Sequence, residues 1–289
     1  MEILKNEQLE IAVASLGAEL QSIKDAQGKE YLWQADERFW PRHSPILFPI
    51  VCGLWNGKYR IDGFEYALER HGFARDSEFQ LISKTDSKVT FALCDSPETH
   101  RNYPYHFMLS VTYRLEGNTI HVIWHVHNTD SNEIHFQIGG HPAFNLPDVK
   151  EGEPMHGTLR FDNKGKVERL IGNVGGCIVP GRFDSEARNG ILSFTEKTFA
   201  EDALIIDKSQ VKRIELLDKE EKPVVTVEMK APAVGIWSPY GKNAPFVCIE
   251  PWYGIHDTVE YNGDFRKKAL MNHLQPGASF LSEYTITIH

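Results

Sequence analysis

Nothing in this chain provides for a covalently stapled or metal-clamped scaffold. Among its 289 residues are four cysteines, Cys52, Cys94, Cys177 and Cys248. They are widely scattered and form no C-x-x-C pair, which argues against a disulfide framework or a zinc ribbon. Long apolar runs are missing too, and none approaches the roughly 18 residues of a membrane span. The opening Met1-Glu2-Ile3-Leu4-Lys5-Asn6-Glu7 lacks the apolar stretch of a signal peptide, so a cytoplasmic location is expected. Basic residues are in deficit: 31 Lys and Arg against 40 Asp and Glu give a formal charge of −9. Phosphate backbones need a basic face, so nucleic acid is a poor partner, whereas a neutral ligand such as a sugar is not disfavoured. Strict repeats, linkers and low-complexity blocks are also absent, and a single domain over residues 1–289 is expected.

What is present is strand after strand. Hydrophobic residues make up 41% of the chain and charged ones 25%, enough apolar matter for one large core. Leu9-Glu10-Ile11-Ala12-Val13 alternates with period two. Lys58 to Tyr66 reads as a hairpin turning at Asp62-Gly63, and Phe79–Lys84 pairs naturally with Lys88–Cys94. Phe107 to Leu115 turns at Glu116-Gly117-Asn118 into Thr119 to Asn128. In that second strand Val122, Trp124 and Val126 share one face, while His121, His125 and His127 share the other. Further strands are expected at 211–216, 223–229, 233–238, 246–250 and 280–288. Helical signals are sparse, with a turn or two near 195–204 and near Pro97–Tyr103. The sum predicts an all-β fold, a large antiparallel β-sandwich.

Three local units place an ionisable residue beside an aromatic and a Pro or Gly that restrains the backbone. They are Arg70-His71-Gly72-Phe73-Ala74-Arg75, Gly140-His141-Pro142-Ala143-Phe144-Asn145 and Ile249-Glu250-Pro251-Trp252-Tyr253-Gly254. Two histidines and a carboxylate can give and take protons near neutral pH. Glu250 closes an apolar run, and a carboxylate leaving the core needs a partner or a purpose. A simpler account of His71 is an exposed loop histidine bridged to Asp76 or Glu69. His125-x-His127 with Glu133 has the strand parity of a metal-binding motif. The spacing to Glu133 is long, however, and a solvated sheet face explains these histidines more simply, so no metal is expected. Trp33, Trp40, Trp237 and Trp252 are candidate sugar platforms. Trp237 is preferred because it precedes a Pro-Tyr-Gly turn near Glu250.

Taken in order, 42–49, 71–75, 141–145, 202–205 and 248–254 resemble the aldose 1-epimerase (galactose mutarotase) superfamily, in its LacX-like bacterial branch. The resemblance covers nearly the whole chain. It implies a β-sandwich of the galactose-mutarotase type and acid–base catalysis without metal or cofactor. By resemblance His141 is the general acid, Glu250 the general base and His71 a second active-site histidine near the ring oxygen. Arg42 and Asp202 would hold sugar hydroxyls, with Asp207 an alternative to Asp202. Relatives usually carry an aromatic where Ala143 stands, which leaves the preferred sugar open. The implied chemistry is ring opening of a free aldose and closure to the other anomer. Reference pKa values of about 6.5 and about 4.3 would leave His141 protonated and Glu250 ionised near neutrality. Two rivals remain: a hexose-6-phosphate 1-epimerase using Arg42, Arg70 and Arg75, and a non-catalytic carbohydrate-binding protein.

Overall fold

The computed structural model describes residues 1–150, 152–172 and 176–289. Two antiparallel sheets face each other across the main core. The larger has nine strands. It runs from Ile191–Thr195 through His156–Phe161, Arg213–Leu217, Pro223–Met229 and Ser279–Ile288. It continues through Thr119–Asn128, Phe107–Glu116 and Lys88–Cys94 to Gln80–Lys84. Its centre is the long hairpin expected from the alternation. Trp124 and Val122 are fully buried, while His121, His125 and His127 lie half-covered on the other face.

The smaller sheet has six strands: Leu204–Ile206, Ala233–Trp237, Phe246–Tyr253, Ile138–Gly140 and Ile46–Leu47, with Ala143–Asn145 also paired to Phe246–Tyr253. Phe246–Tyr253 is buried almost throughout, so its apolar run serves two different faces. Val247 and Ile249 enter the main core. Phe246, Cys248, Glu250 and Trp252 point the opposite way by strand parity, into the smaller clusters around Trp33 and around Trp252.

Several local expectations hold in detail. The Lys58–Ile61 and Phe64–Ala67 hairpin turns through Asp62 and Gly63, both at positive φ, as a two-residue hairpin loop requires. The short helix Pro97–Asn102 starts with Ser96 as cap and Pro97 in the first turn, and Glu196–Phe199 forms a single 3-10 turn. The strands His156–Phe161 and Ile191–Thr195 are not expected from the sequence. Gly157 interrupts the alternation there, and its side-chain slot is filled by the ring of the cross-strand Phe194, which a Cβ would meet at 2.4 Å. Cys52, Cys94 and Cys248 are free thiols, and Cys248 is buried on its strand. Among the described residues no helix is long and apolar enough to cross a membrane.

Candidate active site

The strand carrying Glu250 does not end there, as the sequence suggests; it runs on through Pro251 to Tyr253. Proline is tolerated because its missing N–H falls where the neighbouring strand is broken. Ile249 donates to the Pro142 carbonyl on that side. Two residues on, Pro251 would donate the same way, between the Gly139–Trp252 and Ala143–Cys248 pairs. The break is the His141-Pro142 dipeptide itself. Gly139 and Gly140 bring it in closely, since a Cβ on either would stand under 3.0 Å from Trp252 or Tyr284. His141 Nε2 thereby comes within 3.2 Å of Glu250 Oε2, with both side chains almost wholly buried.

Aromatic rings hold the imidazole in place. Trp40 stacks on His141 at 4.8 Å between ring centroids, and Trp237 meets it edge-on at 5.6 Å. Trp40 and Trp237 are partly exposed and line the cleft, and Trp252 lines it from a buried position. Trp33 instead stacks on Phe246 in the adjoining core.

His71 is buried, not the exposed loop histidine of the simpler account. Its φ is +72°, uncommon for a residue with a side chain. It is locked to Cys52 twice: His71 N–H donates to Cys52 O at 2.9 Å, and Cys52 N–H donates to His71 Nδ1 at 3.1 Å. Because Nδ1 accepts, the neutral ring carries its proton on Nε2 and offers a donor there. Burial first, then the neighbouring His141, Arg75 and Arg70 charges, hold His71 well below 6.5. Its ring lies 5.4 Å from that of His141.

These side chains surround a cavity of about 120 Å³, lined also by Arg70, Arg75, Asp202 and His256. Asp202, at φ +68°, pairs with Arg70 at 2.8 Å. Asp207 is turned elsewhere and held by both terminal nitrogens of Arg182, so of the two aspartates only Asp202 faces the cavity. Arg42 does not line it. Its guanidinium bonds Asp76 at 2.9 Å, and Arg75 occupies the lining instead. Glu133, read with His125 and His127 as a metal motif, lies beside His135 and His273. Among the described residues no ligand-type cluster includes His125 or His127.

Electrostatics correct one expectation. Burial pulls His141 down to about 3, helped by the Arg75, Arg70 and Arg42 charges. Burial and the Asp202 charge push Glu250 well above 4.5. Both shifts disfavour the charged forms, so burial favours a neutral imidazole facing a protonated carboxyl over an imidazolium facing a carboxylate. Reference values describe groups in water, and neither group is in water here.

A buried, touching acid–base pair beneath aromatic rings has the groups needed to move protons to and from a polyhydroxyl ligand. The chain matches the aldose 1-epimerase family over residues 2–286. It belongs to that family. It is 32% identical to protein LacX of Lactococcus lactis subsp. lactis, over 99% of this chain and 98% of that one. A galactose mutarotase related enzyme from Lactobacillus acidophilus superposes with a TM-score of 0.93 at 34% identity, covering 100% of this chain and 97% of that one. A galactose mutarotase-like protein from Lactobacillus casei gives 0.90 at 30% identity, with both chains fully covered. The epimerase is thus an all-β isomerase acting on sugars.

Proposed function

We propose that this epimerase interconverts the α and β anomers of a free aldose by acid–base ring opening at His141 and Glu250. The observation that carries the reading is the buried 3.2 Å contact between those two groups inside the cavity. Glu250, as carboxylate, takes the proton of the C1 hydroxyl while His141 protonates the ring oxygen. The bond from C1 to the ring oxygen breaks, leaving an open aldehyde, a protonated Glu250 and a neutral His141. Rotation about C1–C2 presents the other carbonyl face, and the two transfers reverse to close the ring. The proton placement that burial favours is that of the ring-open complex, so the ring-closed complex needs one proton shift across the pair. His71 Nε2–H serves as a fixed donor, Asp202 holds a sugar hydroxyl, and Trp237 and Trp40 supply the apolar walls.

Dissolving a crystalline α-aldose and following optical rotation tests the reading. Faster relaxation to an unchanged final rotation is the expected result. No acceleration with glucose, galactose or other aldoses would overturn it. Because Glu250 is pushed well above 4.5 and His141 down to about 3, the enzymatic rate should show no limb centred near pH 4.5. A limb centred near 4.5, after subtraction of buffer catalysis, would mean that Glu250 titrates as an ordinary carboxylate. Trp40→Ala removes a stacked ring worth roughly 0.5–1.5 kcal/mol. It should lower kcat/KM by up to about tenfold, measured by the same polarimetry.

A hexose 6-phosphate is the second reading, favoured by the cations on one side of the site. Arg70 and Arg75 line the cavity, and the Arg42 charge is near enough to act on Arg75. Arg75 Nε is held only by a long 3.4 Å ion pair to Asp76. Tight competition by glucose 6-phosphate against a free aldose would favour this substrate class.

A further inference from the structure

Four histidines are buried in this protein: His71, His135, His141 and His256. Three have polar partners. His71 Nδ1 accepts from Cys52, His135 Nδ1 meets His273 Nδ1 at 3.0 Å, and His141 Nε2 faces Glu250. His256, only 3% exposed, makes no hydrogen bond or ion pair among the described residues, and its Nδ1 is sealed from solvent. An imidazole left this way forfeits about 1–3 kcal/mol, and buried polar groups are rarely left so without a reason. Its ring nevertheless lines the cavity, packed edge-on against Trp252 at 5.9 Å.

Its packing locates it. A Cβ on Gly172 would meet Ile205 Cδ1 at 3.1 Å and His256 Nε2 at 3.5 Å. The His256 ring therefore sits beside the strand that follows Asp202, toward the Arg70–Asp202 end. Burial and the Arg70 and Lys268 charges hold it well below 6.5, so it is neutral. Lys268 is fully engaged elsewhere, with Asp257 at 2.9 Å and the Ile255 carbonyl at 2.5 Å, and does not compete for the ring. The imidazole Nε2, the nitrogen not sealed from solvent, can donate to or accept from a hydroxyl according to the tautomer, and a hydroxyl can play either part.

We infer that His256 is a sugar-binding, specificity-determining residue that hydrogen-bonds a hydroxyl remote from C1 at the Arg70–Asp202 end of the cavity. The inference rests on the epimerase reading above. Sites that bond a particular hydroxyl discriminate strongly against ligands that lack it, so this contact would rank aldoses differing at one carbon.

The test compares the parent with His256→Leu and His256→Gln on glucose, galactose and their monodeoxy analogues, reading KM and kcat separately. His256→Leu should raise KM about tenfold or more for the preferred aldose and leave kcat within about twofold. It should make no difference for the one deoxy sugar that lacks the bonded hydroxyl, because the two losses are then the same loss. His256→Gln, which keeps a donor and an acceptor, should recover part of the affinity and shows that the site still folds. An equal fall on every sugar, deoxy analogues included, would reduce His256 to a packing residue and overturn the inference. Sugar binding followed by calorimetry separates the two readings. Binding without turnover in the parent overturns the epimerase reading and leaves His256 to be judged on affinity alone, whereas neither binding nor turnover overturns both.

Discussion

Glu250→Gln is expected to lower kcat by about 10²–10⁴-fold, the usual worth of a positioned proton-transfer group, while making the protein more stable at neutral pH. Gln fills the same volume on the same buried strand but cannot take a proton. The stability gain follows from the raised pKa of Glu250. The unfolded chain releases this proton near 4.5 and the folded one keeps it, so above that pH folding holds back a proton that the unfolded state gives up. Native stability then declines by about 1.4 kcal/mol per pH unit until the folded group ionises. Gln carries no such cost. The variant should melt higher than the parent at pH 7, with the difference closing below about pH 4. Polarimetry and thermal melts at the two pH values check both halves. Retained activity would remove Glu250 from the chemistry, and an equal melting shift at both pH values would mean that ionisation is not its source.

Gly72→Ala should cost about 2–4 kcal/mol, an effect of backbone and packing together. Gly72 has φ +71°, and a Cβ there would stand 2.3 Å from the Phe48 carbonyl oxygen and 2.7 Å from Pro49 Cδ. That carbonyl cannot swing aside, because it accepts from both Phe73 and Ala74 N–H at 3.0 and 3.1 Å. The segment would have to move, and His71 with it, so turnover should fall even at temperatures where the variant is folded. Gly63→Ala is the control. It has φ +82° with nothing within 4 Å of its Cβ, so it should lose only about 1 kcal/mol, the conformational part. Equal melting shifts for the two variants would contradict the steric argument.

How far the chain could be read without its structure differs from element to element. Period-two alternation in 107–128 names the buried residues because strand faces are a local property of successive Cα atoms. His141 and Glu250 stand out for the same reason: each has a restraining Gly or Pro as its immediate neighbour. His256 carries no such signal. Its environment comes from Trp252, just before it in the chain, but also from Arg70 and Lys268, which nothing local associates with it.

The charged residues show the limit most clearly. Arg42 and Arg75 are both plausible cavity cations in sequence, as are Asp202 and Asp207 as acceptors. Arg42 is drawn to Asp76 and Asp207 to Arg182, which leaves Arg75 and Asp202 facing the cavity. An ion pair is decided by which opposite charge the fold brings within reach, and these pairs form between separate segments. The pKa directions are likewise tertiary, since burial, a property of the assembled sheets, moves His141 and Glu250 away from their values in water. By itself the sequence determined an all-β sandwich and the residue types of a proton-transfer pair, because alternation and backbone restraint act between chain neighbours. Tertiary structure decided the 3.2 Å contact, the proton's place within it and the choice among competing charges, because each depends on residues far apart in the chain.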